Sequence, residues 1–400
     1  MRRASWLVAI VAAFTVSVGT VPAAHSATAA APAPTPGVTR TTITVGGIVT
    51  ADAASKGADI GAQARFARAN ARGGVFGRRI QYSGTAADAA SSTAGSASVG
   101  ALFAVVPAVS PDLDTAALAR AGIPFFGAAS TPAWNANRFG FGFVGAQAPL
   151  QTRVVDPSWG RQLRSLLGTA QGSRVALAVD DNALGTVRAE QARVSLRAAG
   201  FRVSAPVVLP PPPAPLPDLA PIATTLAGAA PAVVLLLTSS ATAAALARQL
   251  TLLAFTGTVA TDGAFYQPTA PALADGLTVL VPYAPFEQST VANRRLAADV
   301  EAFAAGTALT PGVAAGYWSA DAFLAALGRT GKSLTRDRFV AAVNRGFSYA
   351  VPGTVGRSTW PAMHTQPVPC GALVQSDGSR YLVVERYRCA APIVRKARAR

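Results

Sequence analysis

Residues 102–135, LFAVVPAVSPDLDTAALARAGIPFFGAASTPAWN, constrain the fold more than any other stretch. Residues 102–106 form a short apolar run and residues 123–126 another, with a helix-like segment over 111–121 between them, which predicts strand, loop, helix, strand, loop. That is one βαβ unit. Its strands run parallel, so the loops leaving their carboxyl ends open into the same crevice and bring Ser110 near Ser130 and Thr131. Two hydroxyl-bearing loops facing one cleft make a ligand site rather than a reaction centre. Ser110 directly precedes the expected helix start, with Pro111 at the first helical position. Its hydroxyl and the following free N–H groups either hold a carboxylate or simply cap the helix.

The same alternation runs on both sides of this unit. Upstream it predicts a strand over 43–49, a helix over 57–72, a Gly73-Gly74 turn, a strand over 80–83 and a helix over 87–100. Glycines and aromatics at 139–155 break the rhythm, and a second series follows. Its helices are expected at 158–170, 184–199, 218–228 and 240–254, and its strands at 174–180, 201–208, 232–238, 257–261 and 276–282. Alternation with short connections argues for mostly parallel sheets covered by helices on both faces, and two series argue for two lobes with a boundary near 145–152. Helices at 290–305, 313–328 and 335–345 outnumber the remaining second-lobe strands and are expected to cross back over the first lobe. The proline run at 209–218 reads as a stiff surface loop.

A chain of 400 residues, 50% hydrophobic, suffices for two lobes with buried cores. Residues 1–26, with Arg2 and Arg3 before an apolar run and Ala24-His25-Ser26 before Ala27, fit a secretory signal peptide. That run is too short to span a bilayer comfortably, no other segment offers about 20 uninterrupted apolar residues, and no cysteine follows it as a lipid anchor. Residues 27–37 are expected to be a disordered leader and 393–400 a basic tail that frays. Cys370 and Cys389 flank a hairpin-like segment turning at Asp377-Gly378, and in a secreted chain they are expected to be bridged. The formal charge of +16 becomes +14 once Arg2 and Arg3 leave. The arginines are scattered and no aromatics interleave with them, which argues against nucleic acid and leaves loose association with an anionic wall or membrane surface.

Catalytic motifs are weak or missing. Gly140, Gly142 and Gly145 spell G-x-G-x-x-G, yet Pro149 and a lobe crossing follow instead of a helix. No G-x-S-x-G elbow or P-loop occurs, and His364, alone in the mature chain, lies in a proline-rich stretch. No metal site, cofactor or enzymatic activity is expected.

Read together, TITVGGIV (42–49), GADIGAQARFARANARGGVFGRRI (57–80), residues 105–110 and IPFFGAASTP (123–132) resemble the type I periplasmic binding proteins, closest to the branched-chain amino-acid binders that serve ABC transporters. VALAVDDNALG, GTVATDGAFYQP and AAGYWSADAFLAAL fall in family order in the second half. The most specific signal is A-x-F-x-x-x-N-x-x-GG-x-x-G-R, carried by Ala64, Phe66, Asn70, Gly73, Gly74, Gly77 and Arg78, which marks a tight helix-to-strand turn. The resemblance implies two Rossmann-like α/β lobes joined by a multi-strand hinge, 38–147 with 286–350 and 148–285 with 351–392. Ligand then sits between the lobes, its carboxylate on Ser110 and on Ala129, Ser130 and Thr131.

Asp262 stands where the family places an ammonium partner, or serves only as a turn former. Lys56, Leu184 and Ser239 stand where the family sets ligand-facing aromatics. Lys56 reads as a partner for a more anionic ligand or as a solvated charge, and Trp134, Phe76 and Tyr266 as replacement walls or as core. The resemblance implies a secreted solute-binding protein for a small carboxylate or amino-acid-like ligand, partnered by an ABC permease. A sensor of the same fold, a secreted hydrolase and a ligand-free wall component are the other readings.

Overall fold

A computed structural model describes residues 34–52, 54–86, 97–151, 153–212, 214–228 and 230–395. The expected signal peptide and most of the expected leader therefore lie outside the described residues. From Thr35 onward the chain forms one compact unit built on two large sheets.

The first sheet gathers β1 (Thr42–Val49), β2 (Arg79–Ala86), β3 (Ala104–Val109), β4 (Phe125–Gly127) and β5 (Gly140–Gly142) in the order β2-β1-β3-β4-β5. Every pair in it is parallel. β3, AVVPAV, is buried along almost its whole length, as a strand covered on both faces must be. Helices α1 (Ala58–Ala71), α2 (Ala97–Gly100) and α3 (Thr115–Arg120) connect the strands. The turn after α1 explains its motif. The Asn70 side chain donates to Ile80 O and accepts from Ile80 N, both at 2.8 Å, and so clamps the edge strand to the helix end. Gly74 has φ 73°, and a Cβ there would lie 2.0 Å from Arg78 O, so only glycine fits.

The second series supplies β6 (Val154–Val155), α4 (Ser158–Leu167), β7 (Arg174–Asp180), α5 (Ala183–Ala198), β8 (Arg202–Leu209), α6 (Leu219–Ala227), β9 (Val233–Leu237), α7 (Ser240–Leu252), β10 (Thr258–Asp262) and β11 (Thr278–Val281). After α8 (Val291–Phe303), α9 (Pro311–Thr330) and α10 (Arg336–Asn344) come a short hairpin, β12 (Ser348–Val351) and β13 (Val355–Thr359), and then β14 (Cys370–Ser376), β15 (Tyr381–Cys389) and β16 (Ile393–Val394). The second sheet runs β15-β14-β11-β10-β9-β7-β8. It is parallel from β11 to β8 and closed by β14 and β15, which are antiparallel. Cys370 and Cys389 are disulfide-bonded across that last pair.

α8, α9 and α10 do cross back over the first sheet. Phe323 of α9 and Phe339 of α10 sit among Phe103, Phe126 and Phe141 of the first lobe, with ring centroids 5.4 to 6.4 Å apart. α9 reaches α1 so closely that a Cβ on Gly316 would lie 1.7 Å from Ala58 O. The chain thus passes between the sheets three times, after β5, after β11 and after β13. The first and third passages run side by side, with Ala146 N donating to Gln366 O and Val368 N donating to Val144 O.

Two expectations need correction. The helix read from 111 begins at Thr115, because Asp114 Oδ1 accepts from Ala117 N and is the cap, so Ser110 is not the N-cap of that helix. The tail read as frayed from 393 is anchored at its start, where β16 pairs with β6 and Arg395 N donates to Arg153 O; residues 396–400 lie outside the described residues. Residues 87–96 of the helix read at 87–100 lie outside the described residues, and its last four residues, Ala97–Gly100, form α2; β12 with β13 has no counterpart in the sequence reading.

Candidate functional site

Strands of parallel sheets end in loops, and the carboxyl ends of β3, β4, β10 and β11 open on one cavity of about 350 Å³ between the two sheets. The first lobe contributes neutral groups. Ser110 is 5% exposed, and its Oγ accepts from Asp112 N at 3.2 Å, which leaves the hydroxyl proton directed to some other acceptor. Ser130 and Ser55 also line the wall. Asp52 lines it too, but its carboxylate is consumed in its own turn by the Thr50 and Ser55 hydroxyls and the backbone N–H groups of Ala54 and Ser55.

The second lobe contributes charge and rings. Arg188 on α5 and Asp262 at the end of β10 both face the cavity, with Nη1 2.9 Å from Oδ2. The other oxygen of Asp262 accepts from Ala264 N at 3.1 Å. Asp180 at the end of β7 acts on the same pair. Burial pushes its carboxyl above the usual range and the Asp262 charge adds to this, while Ser239 N and Arg188 oppose it. Asp156, just past β6, lines the crevice with Oδ1 accepting from Ser158 N and Ser158 Oγ. Desolvation pushes its carboxyl up to about 6 against those hydrogen bonds and the Arg161 charge.

Of the residues named from sequence, Ser110, Ser130 and Asp262 line the cavity, and Lys56, Ala129, Thr131, Leu184 and Ser239 do not. Lys56 is exposed, and its carbonyl accepts from Thr310 Oγ1. Ala129 is buried behind the loop with φ 50°, and Thr131 precedes a short turn at Pro132–Trp134. Leu184 sits in the first turn of α5, and the Ser239 hydroxyl is occupied in capping α7.

The suggested replacement walls lie elsewhere as well. Trp134 packs on Phe125, Phe76 is 44% exposed, and Tyr266 stacks on Phe286 while its hydroxyl donates to Glu287. An aromatic wall exists nonetheless, built from Phe143, Trp159 and Tyr283. Each flanks a lobe crossing, Phe143 and Tyr283 just before one and Trp159 after one, and that adjacency was the signal available in the sequence. His364 is core. It is buried against Phe141 with ring nitrogens 3.0 Å from Gly140 O and 2.6 Å from Asn344 Oδ1, and burial pushes its pKa down to about 4 against the pull of the Gly140 carbonyl.

The interlobe cavity is flanked by two mostly parallel sheets and three crossings. The model of the periplasmic binding protein family matches residues 42–380. The chain belongs to that family. Type I periplasmic binding proteins of known structure share its fold at low identity. A fatty acid ABC transporter substrate-binding protein from Thermomonospora curvata is 16% identical with TM-score 0.67, covering 89% of this chain and 94% of that one.

A leucine-, isoleucine-, valine-, threonine- and alanine-binding protein from Brucella ovis, in a closed conformation, is 15% identical with TM-score 0.70, covering 87% and 95%. An ABC transporter solute-binding protein from R. palustris in complex with benzoate is 16% identical with TM-score 0.65, covering 89% and 100%. No curated protein sequence matches the chain. Among the described residues no helix of this periplasmic binding protein is long and apolar enough to cross a membrane, and no cluster of three or more His, Cys, Asp or Glu is placed to hold a metal.

Proposed function

We propose that this protein is the secreted, extracytoplasmic solute-binding component of an ABC transporter, taking a small carboxylate-bearing ligand between its lobes and presenting it to a permease. In this reading residues 38–147 with 286–365 form one lobe and 148–285 with 366–392 the other, the third boundary lying past β13 and His364 instead of at the expected 350, and the three crossings are the hinge. The carrying observation is the Ser110 hydroxyl, fixed as an acceptor by Asp112 N with its proton free, in a cavity whose opposite wall holds aromatics and a guanidinium. A carboxylate accepts from Ser110 while apolar substituents leave water against Trp159 and Tyr283, at about 25 cal/mol per Å² buried. Closure adds second-lobe contacts that the open form lacks, so ligand draws an existing open–closed equilibrium toward the closed state that a permease reads. His364 is locked in the core, away from the cavity wall.

A thermal-shift screen of the mature protein against carboxylic acids, amino acids, sugars and short peptides tests this. Ligand that binds only the native state raises the midpoint, corresponding to about 2.7 kcal/mol at a hundred times its dissociation constant. A carboxylate hit is expected, and Ser110→Ala should weaken it by about 1 to 3 kcal/mol in calorimetry, the usual cost of losing a hydrogen bond to a charged group. An unchanged affinity would move the ligand away from the loop after β3.

A further inference from the structure

The polar groups of the cavity divide into those already satisfied and those with capacity left. Asp262, the residue standing where amino-acid binders hold an ammonium, offers the cavity no open acceptor, because its Oδ2, though without a hydrogen bond, is buried beside Arg188. One of its oxygens accepts from Ala264 N and the other lies 2.9 Å from Arg188 Nη1, with the two side chains only 27% and 19% exposed. To meet an α-ammonium, Asp262 would have to release Arg188 and leave a guanidinium in a half-buried wall, costing more than an ammonium contact returns. Arg188 is in the second class. A guanidinium carries five N–H donors in a planar fork, and only Nη1 is engaged with Asp262. Ser110 on the opposite lobe has one donor left as well. Asp52 is saturated by its own turn, and Asp156 is tied to Ser158 beside Arg161. Asp262 Oδ2 and Gln191 Oε1 lack hydrogen-bond partners but are buried, so what faces the cavity is chiefly hydrogen-bond donors, on Arg188 and on the serines, set among Phe143, Trp159, Tyr283 and aliphatic side chains.

We infer that the cleft selects small apolar carboxylic acids that carry no α-ammonium group, with Arg188, held in place by Asp262, as the second-lobe contact to the ligand carboxylate. This inference rests on the carboxylate-binding reading of the cleft proposed above. The Arg188–Asp262 pair turns what would be an ammonium site into an ammonium-excluding one, because any cation approaching Asp262 meets the guanidinium first. The pair leaves a ligand carboxylate free to dock on the unengaged face of the fork.

The test is calorimetry on the mature protein with acids and their α-amino counterparts, 4-methylpentanoate against leucine and 3-phenylpropanoate against phenylalanine. Each acid is expected to bind at least about tenfold tighter than its partner, and Arg188→Met to lose at least about tenfold for the acid while narrowing or inverting the preference, since Asp262 is then freed. Asp262→Asn, which keeps the guanidinium, is expected to hold acid binding at its original strength or better, and it guards against a folding defect in the arginine variant. Leucine or phenylalanine binding as tightly as the acid, with Ser110→Ala weakening both, overturns the inference and leaves the cleft reading standing. Acid binding that ignores Arg188→Met overturns the role given to Arg188. No heat from any of the four compounds overturns the carboxylate reading itself, and the inference with it.

Discussion

The two lobes build their halves of one cleft from opposite materials. The first lobe is an all-parallel sheet covered by helices that return from far along the chain. It presents serine hydroxyls to the cavity and buries its one core histidine between a carbonyl and an amide. The second lobe is closed by an antiparallel, disulfide-bonded hairpin and presents Arg188, Asp262, Asp156 and rings. The difference separates two jobs. Neutral donors at strand ends hold an anion without needing a counter-charge, while the charged side sets which anion is accepted. It also predicts that acid and base act on the two lobes with opposite sign.

The largest effect tests the first lobe by packing alone. A Cβ on Gly316 would lie 1.7 Å from Ala58 O and 2.6 Å from Ala58 C, backbone atoms that cannot move aside without separating α9 from α1. Gly316→Ala should therefore cost more than ~3 kcal/mol, at the upper end for overpacking, and by the same amount in mild acid and mild base. Gly328 lies in the same helix with nothing within 4 Å of its Cβ position. There the same substitution should stabilise by about 0.5 to 1 kcal/mol through helix propensity. Chemical denaturation of the two variants separates the outcomes, and equal effects would mean that helix propensity, not contact with α1, governs this interface.

What could be read from the sequence follows the same division. The first lobe was legible because period and turn chemistry are local: the Asn70 clamp and Gly74 turn lie within one motif, and Ser110 and Ser130 follow from the rule that parallel strands share a crevice. The start of α3 was misread because Ser110-Pro111 and Asp114 are equally good start signals, and only the packed chain shows that Asp114 wins. Ser239 caps α7 off the cavity wall for a related reason, since a serine that caps a helix and one that meets a ligand are the same residue type. Arg188 was invisible among scattered arginines, because its partner Asp262 arrives three strands later in the chain. Phe143, Trp159 and Tyr283 are likewise joined only by the three crossings, which no periodicity records.

The middle effect concerns acid. His364 is held by burial at about 4 against an ordinary 6.5, so between those values the unfolded chain binds more protons than the folded one. The contribution is complete above 6.5 and is lost as pH falls toward 4, by up to about 3 kcal/mol. Thermal midpoints should fall across that window, and His364→Gln should flatten the fall. Because both ring nitrogens face oxygens, the opposite outcome is informative: a midpoint that rises on acidification would show Gly140 and Asn344 holding an imidazolium, and the contrast between the lobes would collapse.

The smallest effect has the reverse sign and belongs to the second lobe. Asp156 is raised by desolvation from 3.8 to about 6, with Ser158 and Arg161 pulling the other way. In this interval the folded protein keeps a proton that the unfolded chain has lost, so the stability it confers is full below 3.8 and declines as pH rises through 6. Asparagine reproduces the protonated shape and can still accept from Ser158. Asp156→Asn should therefore stabilise the ligand-free protein by on the order of 1 kcal/mol near neutral pH, discounted for its partial exposure to the cavity, and the gain should vanish below about pH 4. Carboxylate affinity should rise in the same variant above pH 6, because a negative charge has left the wall that the ligand's own charge must face. A variant that is less stable at neutral pH would instead mean that Asp156 is ionised in the fold and paired with Arg161, placing one more fixed charge on the second lobe's side of the cleft.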